Sequence, residues 1–303
     1  MKTYQTIENF SPSAKKLREH FEQTFADPHL AKSDRFIWDY WNVPGQYTTL
    51  RTPAYHFFPK KIYEQFHNEL VWWGRENLGC HDISPPWLSC YVEGCKQELH
   101  GDLPHGPWAF VFSLTPWNSR KFRGGQTLLL KNEVLSYWQN FSAGKGLERE
   151  HLVDEVPAKF NRLTVFDPRI PHGVNEVRGV NDVLDGRLVI HGWFVQPRPF
   201  IQGPLRTTEL QSVINELTGS LVNQFASEGG LNTSGVLAVR FNVQKSGAVG
   251  RVQILSNSLR DLESHSNVSN SLTKWISKEF KAVRFKSKAK SSSVTLPLIF
   301  EPS

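Results

Sequence analysis

Cysteine is scarce, and the three that occur (Cys80, Cys90 and Cys95) are too few and odd in number to pair off. That excludes a disulfide framework and leads us to expect free thiols in a reducing, cytoplasmic setting. A zinc site is disfavoured as well, because Cys90 and Cys95 have no second pair at zinc-ligand spacing. Long apolar runs are also missing: none approaches 18 residues, and Met1 to His20 holds no apolar segment. We therefore expect neither a signal peptide nor a membrane span. The net charge is +6, yet residues 1–200 hold 23 Lys and Arg against 22 Asp and Glu, so the excess lies in residues 201–303. With no basic stripe in the first 200 residues, a nucleic-acid partner is not expected.

Aromatic rings are plentiful. Ten Trp and 20 Phe, within an apolar content of 39%, predict a globular chain with a large aromatic core. A length of 303 residues fits one large domain or two unequal ones. Ser11-Pro12 reads as a helix start, with Leu17, Phe21 and Phe25 at helical spacing and Asp27-Pro28 as the stop. Arg35 to Trp41 is an aromatic-rich stretch whose rings we expect to pack over a sheet or rim a pocket. A second helix is predicted over Pro59–Leu78, ended by Gly79. Strands follow at 87–92, 108–115, 128–130, 161–166 and 186–194, where apolar and aromatic runs are bounded by Gly, Pro, Asn and Asp. Leu135 to Phe141 reads as a short helix or loop over the mouth of the fold, and residues 142–158 as a polar excursion.

The chemistry-bearing residues sit among these strands. His100-Gly101-Asp102 puts an imidazole and a carboxylate two residues apart, on one face of an extended strand. His172, 70 residues after Asp102, completes two histidines and one carboxylate. That set leaves three metal positions open and suits a non-haem Fe(II) oxygenase. Arg187 follows His172 by 15 residues and is a candidate clamp for an anionic ligand. His105 is read as a rim residue, since three ligands already complete the set. Arg169 faces either solvent or the open site, and Pro168 and Pro171 stiffen the approach to His172.

Tyr91-Val92-Glu93-Gly94, His100-Gly101-Asp102, Gly124-Gly125-Gln126-Thr127, His172, and Gly186-Arg187 with Trp193 follow one another in an order that resembles the Fe(II)- and 2-oxoglutarate-dependent dioxygenases, in particular the prolyl 4-hydroxylase-like branch. The resemblance covers roughly residues 85–200. It implies a mainly β fold with flanking helices, built on a double-stranded β-helix of the jelly-roll or cupin type. It also implies Fe(II) on His100, Asp102 and His172, 2-oxoglutarate held by Arg187 with a contribution from Tyr91, and O2 as oxidant. Ser113 and Thr127 fall where pocket-lining residues are expected. Two departures stand out. Val180 to Asp185 lengthens the His172–Arg187 interval, and His191 occupies a position where relatives often carry a small hydroxyl residue. Halogenation is disfavoured, because halogenases of this family lack the metal-binding carboxylate and Asp102 is present.

The expected reaction is hydroxylation of a C–H bond in an amino-acid, peptide or protein side chain, with release of succinate and CO2. Oxidation of a small metabolite, or a catalytically silent barrel used as a scaffold, are the competing functions. Composition changes after Gly203-Pro204: residues 201–303 hold 17 Ser against 9 in the first 200, and nine of the ten Trp precede the change. Two domains are therefore expected, 1–205 for the oxygenase and 206–303 for a smaller α+β domain. The latter carries Gly235-Val236, Val239-Arg240-Phe241, Ser246-Gly247, Arg284-Phe285 and Pro297 to Phe300, and resembles the C-terminal domain of TonB-type energy transducers. Within it we expect helices over 210–225 and 268–280 and strands over 235–243, 250–255, 283–286 and 294–300. The basic run from Lys278 to Lys290 reads as a solvated face. A protein partner, if there is one, is expected to bind through this domain.

Overall fold

The structure, a computed structural model, describes residues 4–27, 29, 38–102, 105–135, 137, 152–226, 232–262 and 268–301. The helix or loop expected at Leu135 to Phe141, most of the polar excursion after it, and Phe36 of the aromatic stretch lie outside these residues, wholly or in part. The chain divides into two compact units. One comprises Met1–Leu70 with Ile83–Val195, the other Val71–Asp82 with Gln196–Ser303.

In the first unit, strand β1 (Tyr4–Ile7) precedes helix α1 (Ala14–Phe25), and strands β2 (Asp39–Val43) and β3 (Tyr47–Pro53) form a hairpin. The single turn α2 (Ala54–Phe57) leads into α3 (Lys60–Leu78), within which the chain passes from the first unit to the second. After β4 (Cys80–Ile83) come β5 (Trp87–Tyr91), β6 (Lys96–His100), β7 (Trp108–Ser113), β8 (Thr127–Leu130), the turn α4 (Asn132–Leu135), β9 (Val153–Val156), β10 (Leu163–Phe166), β11 (His172–Val174) and β12 (Arg187–Pro197).

Strands β10-β7-β12-β5 form one antiparallel set and β6-β11-β8-β9 the other. β3 bonds to both β5 and β6 and joins the two sets into one curled sheet. From β5 to β12 the chain crosses from one set to the other at every step except the β8–β9 hairpin. This winding is the expected double-stranded β-helix.

Strand periodicity sorts the side chains. On β12, Leu188, Ile190 and Phe194 are fully buried on one face, with Leu88 and Cys90 of β5 and Phe110 and Phe112 of β7 also fully buried. α3 meets this face through Phe66, whose ring centroid lies 4.7 Å from that of Phe112. Each such side chain contributes about 1.5–3 kcal/mol by leaving water. Arg187, Val189, His191 and Trp193 alternate with these residues and line a cavity on the other face.

Some local expectations need correction. α1 begins at Ala14 rather than directly after Ser11. The Ser11 hydroxyl accepts from the Ser13 amide at 3.0 Å and donates to the Glu69 carboxylate, so it ties the approach to the helix rather than capping it. Ser113 points away from the cavity and donates to the Ala158 carbonyl at 2.7 Å. Arg169 does not line the cavity: its partly exposed side chain folds back onto the buried Asp167, with 2.6 Å between Nη2 and Oδ2.

The second unit adds β13 (Phe200–Gln202), α5 (Thr207–Ala226), β14 (Thr233–Val243), β15 (Val249–Asn257), β16 (Arg260–Asp261), α6 (Val268–Ala282) and β17 (Ser292–Phe300). Its sheet runs β13-β17-β14-β15, with β16 also on β14. Leu210 and Phe225 of α5, Leu272, Ile276 and Phe280 of α6, and Val239 and Phe241 of β14 are part of its core. Because β13 pairs with β17, residues 196–205 pack in this unit, ahead of Gly203-Pro204. So does the end of α3. Its last carbonyls lack helical partners; that of Glu76 accepts from Arg240 Nη2 and from Thr295 Oγ1 at 2.8 Å, and that of Asn77 from Ser256 Oγ at 3.2 Å. Gly79 then turns the chain at φ +69°, where a Cβ would lie 2.5 Å from Pro297.

The strand expected at 283–286 does not form. Arg284 makes one isolated bridge to Ala248, and its guanidinium caps the end of α6 by donating to the Val283 carbonyl at 2.9 Å and that of Lys281 at 3.2 Å. Lys288 of the same basic run pairs with Glu209 at 2.9 Å.

Candidate metal centre and its cavity

The donor atoms of His100, Asp102 and His172 all lie within 4.8 Å of one another. His100 ends β6 and His172 opens β11, and the two are register partners. Asp102 lies past the end of β6 rather than in the strand, so the shared face predicted for His100 and Asp102 is not made by regular pleating. The Asp102 amide instead donates to the Pro168 carbonyl at 2.9 Å, which draws it to the turn before His172. His172 Nε2 is 3.1 Å from Asp102 Oδ2, and His100 Nε2 is 3.5 Å from Asp102 Oδ1.

Each imidazole is oriented by its own backbone. His172 Nδ1 is 2.9 Å from the Ile170 carbonyl and His100 Nδ1 is 2.8 Å from that of Glu98. A carbonyl only accepts, so both Nδ1 atoms carry a proton, and it is Nε2 that each ring turns toward Asp102. With its proton Nε2 donates to the carboxylate; without it, Nε2 and the carboxylate are matched to a cation between them. Burial alone would raise the Asp102 carboxyl. The His172 hydrogen bond and the neighbouring imidazoles outweigh it and hold the group below its ordinary value, ready to ligate.

The triad opens into a cavity of about 440 Å³. Arg187 lines it while only 1% exposed. Its Nη2 donates to Thr127 Oγ1 at 3.0 Å and its guanidinium carbon sits 4.7 Å from the centre of the Tyr91 ring. Nε and Nη1 are buried without any hydrogen-bond partner. A buried cation with two idle donors is costly unless an anion completes it. Thr127 lines the cavity, as expected of it, and Tyr91 lies in the same wall. His191 does too, with its Nε2 2.8 Å from Ser89 Oγ. Desolvation, with Arg187 nearby, pushes this imidazole down to about 4, so it is neutral in the folded protein. His105 is at the rim, its ring stacked on Trp193 with centroids 4.4 Å apart.

Arg51 was not singled out in the sequence, yet it lines the same cavity. Tyr47, Thr49 and Arg51 occupy alternate positions of β3 and all face inward. Alternation alone does not tell such an inward face from a solvated one.

No family model matches the chain, and no curated protein matches it. Among solved structures, it is similar to a prolyl-4-hydroxylase of Pseudomonas putida, with 15% identity over 64% of this chain and 92% of that one, at a TM-score of 0.44. It is also similar to a prolyl hydroxylase of Trichoplax adhaerens in complex with a hypoxia inducible factor oxygen degradation domain peptide fragment (17% identity, 64% of this chain, 83% of that one, TM-score 0.42). A third is HygX of Streptomyces hygroscopicus with nickel and 2-oxoglutarate bound (13% identity, 62% of this chain, 81% of that one, TM-score 0.41).

Proposed function

We propose that the chain is an Fe(II)- and 2-oxoglutarate-dependent dioxygenase that hydroxylates a C–H bond. The observation that carries this reading is the meeting, in one cavity, of a two-histidine, one-carboxylate set with a buried arginine whose Nε and Nη1 have no partner. Both halves fit the groups they would hold. Two neutral imidazoles and one carboxylate suit a divalent iron with open positions. An unpartnered planar fork suits the far carboxylate of a dicarboxylate co-substrate. HygX, to which the chain is similar, carries 2-oxoglutarate and a metal together.

Fe(II) with 2-oxoglutarate supplies the oxidising power: one atom of O2 ends in succinate as CO2 is lost, and the other ends in the substrate. The residues of the chain supply position. His100, Asp102 and His172 would hold the metal on one side and leave the other to ligands. Arg187 and Thr127 would fix the distal carboxylate, and Tyr91 would close the cavity beside Arg187. His191, neutral and bonded to Ser89, adds a polar wall without adding charge.

The substrate is an amino acid, a peptide or a protein side chain in our first reading, supported by the aromatic mouth formed by Trp41, Trp87 and Trp193. A small metabolite is the alternative. A silent scaffold fits less well, because the ligand set and Arg187 are both intact. With β13 and the two-residue β16 set aside, the helix–strand–strand–helix–strand order from α5 to β17 supports the proposed likeness to TonB-type C-terminal domains, here as an appended binding domain for a protein partner.

The test is anaerobic titration with Fe(II) or Co(II), followed by assay of succinate from 2-oxoglutarate in air. One metal per chain and metal-dependent succinate are expected, and Asp102→Ala should lose both. Full metal stoichiometry and turnover in that variant would overturn the assignment.

A further inference from the structure

The cavity holds a second arginine that the metal and the co-substrate do not use. Arg51 lies between two indoles, its guanidinium carbon 3.6 Å from the Trp41 ring centre and 4.1 Å from that of Trp87. Two cation–π contacts hold the guanidinium in place. What remains free is its edge, where the N–H donors lie. Nε is buried and has no hydrogen-bond partner, and no ion pair to Arg51 is formed among the described residues. Asp39 is its register partner on β2 and contributes only through its field, and burial draws the guanidinium below its ordinary value. Trp193 lines the same cavity, and its indole N–H is likewise buried and unpartnered.

Charge gives an independent argument. Among the described residues, the charged side chains lining the cavity are Arg51, Arg187 and Asp102. On the proposed function, Fe(II) and the dianion of 2-oxoglutarate cancel each other. Asp102 then cancels one arginine, and a single positive charge is left. The imidazoles do not change this count while they are neutral. A substrate with one negative charge makes the filled cavity neutral, whereas a neutral substrate leaves the half-buried Arg51 with only its two indoles and the field of Asp39.

We propose that Arg51 anchors a carboxylate of the substrate, and that the enzyme acts on a carbon of a molecule held by that group. A planar carboxylate is the anion that a guanidinium held by two indoles, with its N–H donors unpartnered, matches best, through two parallel N–H···O bonds. Trp41 and Trp87 are positioning residues that hold the fork in place. The inference rests on the 2-oxoglutarate reading of the cavity, which assigns Arg187 to the co-substrate and leaves Arg51 to the substrate.

The experiment uses the full chain with Co(II) and N-oxalylglycine filling the metal and co-substrate positions. Tryptophan fluorescence and calorimetry then follow titration with 3-phenylpropionate against 3-phenylpropionamide. A second titration compares the tripeptide Ala-Ala-Leu with its C-terminal amide. The acid should bind at least tenfold tighter than its amide in one pair or both. Preference in the first pair alone indicates a small free acid, and preference in the second indicates a peptide C-terminus. Arg51→Gln should abolish the preference, and Arg51→Lys, which keeps the charge without the fork, should retain part of it. Near-ultraviolet circular dichroism and the Co(II) absorption report separately on fold and metal site. If neither acid binds, if acid and amide bind alike, or if Arg51→Gln keeps the preference, the inference is wrong. If wild type makes no succinate from 2-oxoglutarate while the Arg51-dependent preference persists, the co-substrate reading fails and the anion site stands.

Discussion

His100 and His172 face each other across the β6–β11 pair with ring centroids 4.6 Å apart, and each is locked by a carbonyl two residues earlier in its own strand or turn. The backbone therefore supplies a hydrogen bond that orients each imidazole, and the Phe166 ring packs beside His172 with centroids 4.8 Å apart. Anything that separates β6 from β11 separates the two candidate ligands.

Gly173 is where that separation is easiest to force. A Cβ there would lie 2.5 Å from the Gln97 carbonyl oxygen and 3.1 Å from Glu98 backbone atoms, both on β6. Gly173→Ala should destabilise the protein by about 1–3 kcal/mol, as overpacking commonly does. It should also weaken Co(II) binding at least tenfold, although no ligand is removed. Thermal melts and a metal titration check both effects, and unaltered metal affinity would show that the ligand pair tolerates a strand shift.

Arg187→Ala removes the proposed clamp. A charge-assisted hydrogen bond is worth roughly 1.5–3 kcal/mol, or about ten- to a hundredfold in affinity. The 2-oxoglutarate requirement should rise by that factor with metal binding retained, and Arg187→Lys should recover only part of the loss because it has no fork. An unchanged requirement would move the clamp to another cation.

His191 makes a pH prediction. Its imidazole is pushed down to about 4 by desolvation, with Arg187 adding to the effect. Between about 4 and the ordinary 6.5 the unfolded chain binds a proton there that the folded chain does not. This group's contribution to stability is therefore full above 6.5 and is lost as pH falls toward 4. His191→Gln should have the shallower dependence, by at most about 1.4 kcal/mol per pH unit. Denaturant titrations from pH 4.5 to 7 measure the two slopes, and parallel slopes would contradict the assignment.

The thiols make another. Burial pushes Cys80 and Cys90 up to about 12, and raises Cys95 as well. Almost no thiolate is present at pH 8, so alkylation of the native protein should be slower than that of a free thiol by roughly a hundredfold or more. In denaturant all three should react promptly. Mass spectrometry after timed iodoacetamide treatment decides it, and rapid labelling of a native cysteine would show a local opening.

The candidate metal set was legible because three chemically distinctive side chains stood among strand signals. The double-stranded β-helix was expected from the family resemblance that the motif order carries. Arg51 was not legible, because Tyr47, Thr49 and Arg51 alternate as they would on a solvated hairpin, and only the closure of the sheet turns that face inward. Residues 71–82 were assigned with the rest of their helix, since an amphipathic pattern tells which face is buried but not which core buries it. The stretch 283–286 looked like a strand from its alternation. Its backbone instead meets the turn at 245–247, where the Phe285 amide donates to the Gly247 carbonyl at 2.8 Å and Lys288 to Lys245 at 2.9 Å.

The end of α3 has a consequence for the order of synthesis. All of the first unit has been made once Val195 is added, but residues 71–82 belong to a unit that still awaits β17. At 5–20 residues per second, that segment waits roughly 10–45 s between its own synthesis and that of its last partner strand. Through that interval the Glu76 and Asn77 carbonyls lack Thr295 and Ser256, and Gly79 lacks Pro297. A chain ending near residue 205 would therefore contain every residue of the first unit, with the end of α3 still lacking its partners.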